Sequence, residues 1–97
     1  YVESQGFSVV RDLVGHGVGH ELHEDPQVPN YVSRHMHDFV LEKGMTLALE
    51  PMINQGGYAV RIAPDDWTFI TSDGRLSAHF EDTVVITDDG AEILTRM

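Results

Sequence analysis

The chain has 97 residues, a net charge of −10, 41% hydrophobic residues and no cysteine, which makes one small domain or part of one, with room for one modest core. The acidic balance repels phosphate backbones and argues against nucleic-acid binding. No apolar run approaches the ~20 residues of a membrane span, no signal-peptide pattern opens the chain, and the lack of thiols fits a cytoplasmic setting.

The first residues, Tyr1 to Gly6, include neither an initiator methionine nor an N-cap residue, and Gly6 reads as the residue just past a helix end. The segment is expected to be the tail of a helix that begins upstream, and the chain the C-terminal part of a longer protein. Phe7 to Val10 is β-prone and short. Asp12-Leu13-Val14 leads into Gly15-His16-Gly17-Val18-Gly19-His20-Glu21-Leu22-His23-Glu24-Asp25-Pro26. The alternating glycines predict an extended segment that another backbone or a metal shell approaches closely, with His16 and Val18 on one face. Pro26, Pro29 and Asn30 predict a loop.

Tyr31 to Val40 is irregular, and Leu41 to Gly44 reads as a turn. Met45 to Ile53 is a near-continuous apolar run of strand length interrupted by Glu50. Gln55-Gly56-Gly57 and Ala63-Pro64-Asp65-Asp66 predict turns on either side of a strand at Tyr58 to Ile62. Trp67 to Thr71 alternates as a strand, and Ser72-Asp73-Gly74-Arg75 reads as a hairpin turn. Leu76 to Thr87 is the longest predicted strand, turned by Asp88-Asp89-Gly90 into Ala91 to Thr95.

Three residues stand out chemically. Glu50 lies in an apolar strand, where a carboxylate is costly to bury unless it is paired or bound to metal; an ion pair with Arg61 or Arg75 is one solution and a metal the other. Pro51 directly after it limits ladder pairing and predicts a strand end. Glu81 shares a strand face with His79 and Thr83, while the adjacent Asp82 must point to the opposite face and is free to cap or pair. His16 sits in a Gly-x-Gly frame. His16 and His23 lack the spacing that places two ligands on one helix face, and His20, His35 and His37, which lack such a frame, read as surface residues. A mixed imidazole–carboxylate set suits Mn, Fe, Co or Zn. One histidine and two glutamates leave a two-metal hydrolytic site incomplete, so further ligands are expected from outside this chain.

Gly15 to Pro26, Thr46 to Asn54 and Trp67 to Thr87 together resemble the C-terminal part of type I methionine aminopeptidase. The resemblance spans essentially the whole chain. It implies an α+β fold, the C-terminal half of the pita-bread architecture, mainly curved antiparallel sheet over residues 1–97. Glu50-Pro51-Met52-Ile53-Asn54 and Ala78-His79-Phe80-Glu81-Asp82-Thr83 separate it from aminopeptidase P, prolidase and creatinase, which carry Glu-Pro-Gly and a sequence nearer Arg-Ile-Glu-Asp at these places. The short interval from His23 to Glu50 has no room for the insertion of the type II enzymes.

By motif position the resemblance implies His16, Glu50 and Glu81 as metal ligands, and Glu50 as a proton carrier. It implies that His23 touches the substrate and holds the developing oxyanion, and that Leu22 and Trp67 line the pocket for a methionine side chain. The family often has Phe in place of Leu22 and commonly Gln in place of His79. Two divalent ions are implied for the complete enzyme and at most one, weakly held, for this chain. The implied partners are a peptide or nascent-protein N-terminus and the missing N-terminal half, with self-association of the exposed fragment. Two other readings stand beside this one: a non-catalytic binding module on the same fold, and a half-enzyme that needs a separate partner chain.

Overall fold

The computed structural model describes residues 1–33 and 38–96; His35 and His37 lie outside them. Among the described residues, a 3-10 turn at Glu3–Gln5 precedes ten strands: β1 (Ser8–Val9), β2 (Gly15–Val18), β3 (Glu24–Val28), β4 (Thr46–Leu49), β5 (Met52–Asn54), β6 (Val60–Ile62), β7 (Phe69–Thr71), β8 (Ser77–His79), β9 (Asp82–Thr87) and β10 (Gly90–Ile93). No α-helix occurs among the described residues. Gly6 closes the first turn with φ +87° and donates its N–H to the Glu3 carbonyl, as its reading as a helix terminator predicts.

All strand pairs are antiparallel. They form a five-stranded sheet in the order β10-β9-β4-β2-β3, a three-stranded sheet β1-β5-β8, and the hairpin β6-β7. Each of the two long predicted strands is broken: Met45 to Ile53 at Glu50-Pro51, into β4 and β5, and Leu76 to Thr87 at Phe80-Glu81, into β8 and β9. The halves of each segment lie in different sheets. Pro51 has no N–H to donate, which is reason enough for the ladder to lapse there. The register is nevertheless conserved across the break: Leu49 pairs with Asp82 on one side and Met52 with His79 on the other. Glu50 therefore stands opposite Glu81, and Pro51 opposite Phe80, where the Phe80 N–H donates to the Pro51 carbonyl at 3.1 Å. The two segments make one bent ribbon that joins both sheets.

Two further expectations are corrected. Residues 24–28, read as a loop from Pro26, form an edge strand, a position where proline is tolerated because one side of the strand needs no donor. Ser72 to Arg75 does turn, with Gly74 at φ +74°, but it connects strands of different sheets and is no hairpin. β7 instead makes a hairpin with β6, and β8 pairs with β5.

The core is small. Among the described residues, Val9, Val10, Leu47, Ala48 and Val84 are its buried apolar side chains, and Phe7, Leu76, Phe80 and Trp67 lie exposed. The radius of gyration is 14.7 Å, above the ~13 Å of a compact domain of this length. Both facts describe sheets whose faces are only partly covered.

Candidate metal centre

The bent ribbon positions the site. Side chains alternate along a strand, so Ala48, Glu50 and Met52 share one face. His16 pairs with Ala48 across β2–β4, Glu81 faces Glu50, and His79 pairs with Met52. The His16, Glu50 and Glu81 side chains converge, with His79 beside Glu50. Ala48 is small and buried, which leaves room for the imidazole beside it.

One ligand atom from each of His16, Glu50 and Glu81 lies within 4.8 Å of the other two. His16 Nε2 is 3.0 Å from Glu50 Oε2, with only 12% and 14% of the two side chains exposed. The other ring nitrogen, Nδ1, lies 3.0 Å from the Gly17 carbonyl. A carbonyl only accepts, so this contact assigns a proton to Nδ1 and leaves the Nε2 lone pair aimed at the carboxylate. Two acceptors at 3.0 Å repel unless a proton or a cation lies between them. Glu81 adds a second carboxylate directly opposite the first, an arrangement that is destabilising for like charges on a sheet. Nitrogen and carboxylate oxygens converging in this way fit a borderline divalent cation.

The glycines explain how His16 is brought so close. A Cβ on Gly15 would lie 2.3 Å from the Ala48 carbonyl oxygen, and one on Gly17 2.2 Å from that of Asp25. The close approach expected for this run is therefore made by neighbouring backbones on both sides of β2. A register shift between His16 and Gly17 marks the same place on the β3 side.

Glu50 does not pair with Arg61 or Arg75. Its ion-pair partners among the described residues are His16 and, at 3.9 Å to Oε1, His79. His79 was legible only as a residue sharing Glu81's face, and nothing in the sequence indicated its contact with Glu50. Asp82, as its position opposite to Glu81 suggested, turns away. It accepts a hydrogen bond from Thr95 Oγ1 at 2.6 Å and pairs with Arg96, and these contacts hold its carboxyl below the usual carboxylate range.

His23 stands beside His16, ring centroids 4.2 Å apart and tilted by 45°. Both line an open cavity of about 520 Å³, together with Glu21, Glu24 and Gln27. Leu22 and Trp67 are 74% and 85% exposed, so the described residues close no apolar slot around them. His20 is exposed.

Residues 1–88 match metallopeptidase family M24. A methionine aminopeptidase of Clostridium perfringens is 57% identical over 95 residues, covering 98% of this chain and 38% of the relative. Methionine aminopeptidase 1 of Bacillus subtilis is 53% identical over 97 residues, covering 100% and 39%. The crystal structure of methionine aminopeptidase from Thermotoga maritima superposes with a TM-score of 0.92 at 58% identity, over 99% of this chain and 38% of that one. The chain thus spans well under half the length of these relatives.

Proposed function

As the chain belongs to metallopeptidase family M24 and carries part of the pita-bread fold, we propose that residues 1–97 are the C-terminal part of a methionine aminopeptidase catalytic domain. In the complete enzyme it acts in the cytoplasm, removing the N-terminal methionine from peptides and nascent proteins. The observation that carries this reading is the convergence of His16, Glu50 and Glu81 within 4.8 Å.

In this reading His16, Glu50 and Glu81 hold divalent ions of the Mn, Fe, Co or Zn type, two in the complete enzyme and at most one, weakly, in this chain. Such ions supply Lewis acidity, which makes water nucleophilic near neutral pH and polarises a scissile carbonyl. The protein's own residues do the rest. Glu50, largely shielded from solvent, accepts a proton from the attacking water and returns it to the leaving amine. His23, at the mouth of the site, donates to the developing oxyanion, a contact typically contributing ~2.7–4 kcal/mol. Leu22 and Trp67 form part of the wall for the methionine side chain, and the N-terminal half closes the rest. That half also covers the exposed apolar residues, which otherwise favour self-association.

The test is release of methionine from a Met-Ala-Ser peptide with Mn²⁺, Co²⁺ or Fe²⁺, by the chain alone and by the chain mixed with the N-terminal part of the enzyme. Activity is expected only in the mixture, and lost there on Glu50→Ala or Glu81→Ala. Full turnover by either variant at saturating metal overturns the assignment. The alternative of a non-catalytic module loses ground because the three ligand-type side chains are intact and convergent.

A further inference from the structure

We infer that His79 is a positioning residue for Glu50: it fixes the free oxygen of that carboxylate, and so the direction in which Glu50 meets a metal ion. The inference rests on the metal-centre reading above.

The two oxygens of Glu50 face two different imidazoles. Oε2 lies 3.0 Å from His16 Nε2, and Oε1 lies 3.9 Å from His79 Nε2. The imidazoles belong to different sheets, His16 to β2 of the five-stranded sheet and His79 to β8 of the three-stranded one. Glu50 sits at the break between those sheets, where Pro51 interrupts the ladder, so its side chain is not anchored by regular pairing on both sides. A carboxylate that ligates through one oxygen leaves the other to accept a hydrogen bond, and such outer contacts set the ligand's orientation. Among the described residues, His16 and His79 are the ion-pair partners of Glu50, one for each oxygen. The 3.9 Å separation exceeds the 2.7–3.2 Å of a formed N–H···O bond, so the half-exposed His79 ring makes this bond only on moving closer to Oε1. The contact needs only an N–H on Nε2 as its donor.

The test is Co²⁺ binding to the 97-residue chain, followed by calorimetry and by the visible ligand-field bands of the ion, for the parent, His79→Ala, His79→Gln and His16→Ala. Loss of an outer-shell partner typically weakens a metal site 10–100-fold. We expect His79→Ala to fall about tenfold, at the low end because the contact is partly exposed, with altered bands. His79→Gln is expected to recover most of the affinity and the parent bands, because its amide N–H reaches a similar point. Thermal melts without metal should match for parent and His79 variants, since an exposed side chain supports little of the core. Parent-like affinity and bands in His79→Ala, or a Gln variant no better than Ala, overturns the inference while leaving the metal centre intact. If His16→Ala leaves Co²⁺ binding unchanged, the metal-centre reading itself fails and His79 falls with it.

Discussion

Gly15→Ala tests the claim that close backbone approach delivers His16 to the site. The new Cβ would meet the Ala48 carbonyl oxygen at 2.3 Å, where ordinary contact begins at 3.4 Å, so about 1.1 Å must be found. The obstacle is backbone of β4, which is itself held between β2 and β9, and no side chain can swing away to relieve it. Overpacking of this kind costs about 1–3 kcal/mol, and the constrained position of β4 argues for the upper half of that range. For a domain of this size each kcal/mol lowers the melting temperature by roughly 4–8 °C, so a drop on the order of 10–20 °C is expected by circular dichroism. Gly17→Ala is the internal control. Its Cβ meets Asp25 O at 2.2 Å, an equally short contact, but β3 is an edge strand with a neighbour on one side only and can retreat. It should cost nearer ~1 kcal/mol. Co²⁺ affinity should also fall more for Gly15→Ala, because separating β2 from β4 stretches the 3.0 Å approach of His16 to Glu50. A Gly15→Ala chain that melts with the parent, or a Gly17→Ala chain that is the weaker of the two, would refute the reasoning.

Mn²⁺ or Co²⁺, by binding between Glu50 and Glu81, should stabilise the chain by about 2.7 kcal/mol at a hundredfold excess over Kd and so raise its melting temperature; the rise should vanish with a chelator and in Glu81→Ala, as scanning calorimetry can check. Acid should destabilise the protein in a way Asp82 helps to set. Its carboxyl is held below the ordinary value of 3.8 by the Thr95 hydroxyl and Arg96, so its contribution is present above that value and is lost as pH falls through the depressed one. Asp65 and Asp73, lowered by hydrogen bonds from Thr68 and from the Gly57 and Arg75 N–H groups, act with the same sign. Asp82→Asn should therefore flatten the acid limb of a urea-stability profile below about pH 4, and an unchanged limb would count against this account. Asn54 is fully buried, with its Nδ2 donating to Gly57 O at 3.0 Å and its Oδ1 without a partner among the described residues. Asn54→Ala strands the Gly57 carbonyl and should cost about 1–3 kcal/mol in the urea midpoint with m unchanged.

Much of the local structure was legible in the chain. The turn glycines, the terminating role of Gly6, the strand end at Pro51 and the outward role of Asp82 all follow from backbone sterics or from alternation, which act over a few residues. The loop read at Pro26 failed because proline's effect depends on which side of a strand needs a donor, and only the sheet order shows that β3 is an edge. The long strand read from Leu76 to Thr87 failed for a related reason, since a bend between two sheets leaves no mark in hydrophobic alternation.

The residues of the site were individually visible as polar anomalies in apolar or glycine-rich frames, because the cost of burying a carboxylate is a property of the residue and its neighbours. The residues alone thus indicate the kind of chemistry: one imidazole and two carboxylates suited to a divalent ion. Their meeting was decided by tertiary structure alone. The register of the bent ribbon sets Glu50 opposite Glu81, and β2 brings His16 beside Ala48. His79 reaches the second oxygen of Glu50 from a different sheet. Pairing register is a long-range choice made by packing whole faces against one another, and no local pattern in 97 residues encodes it.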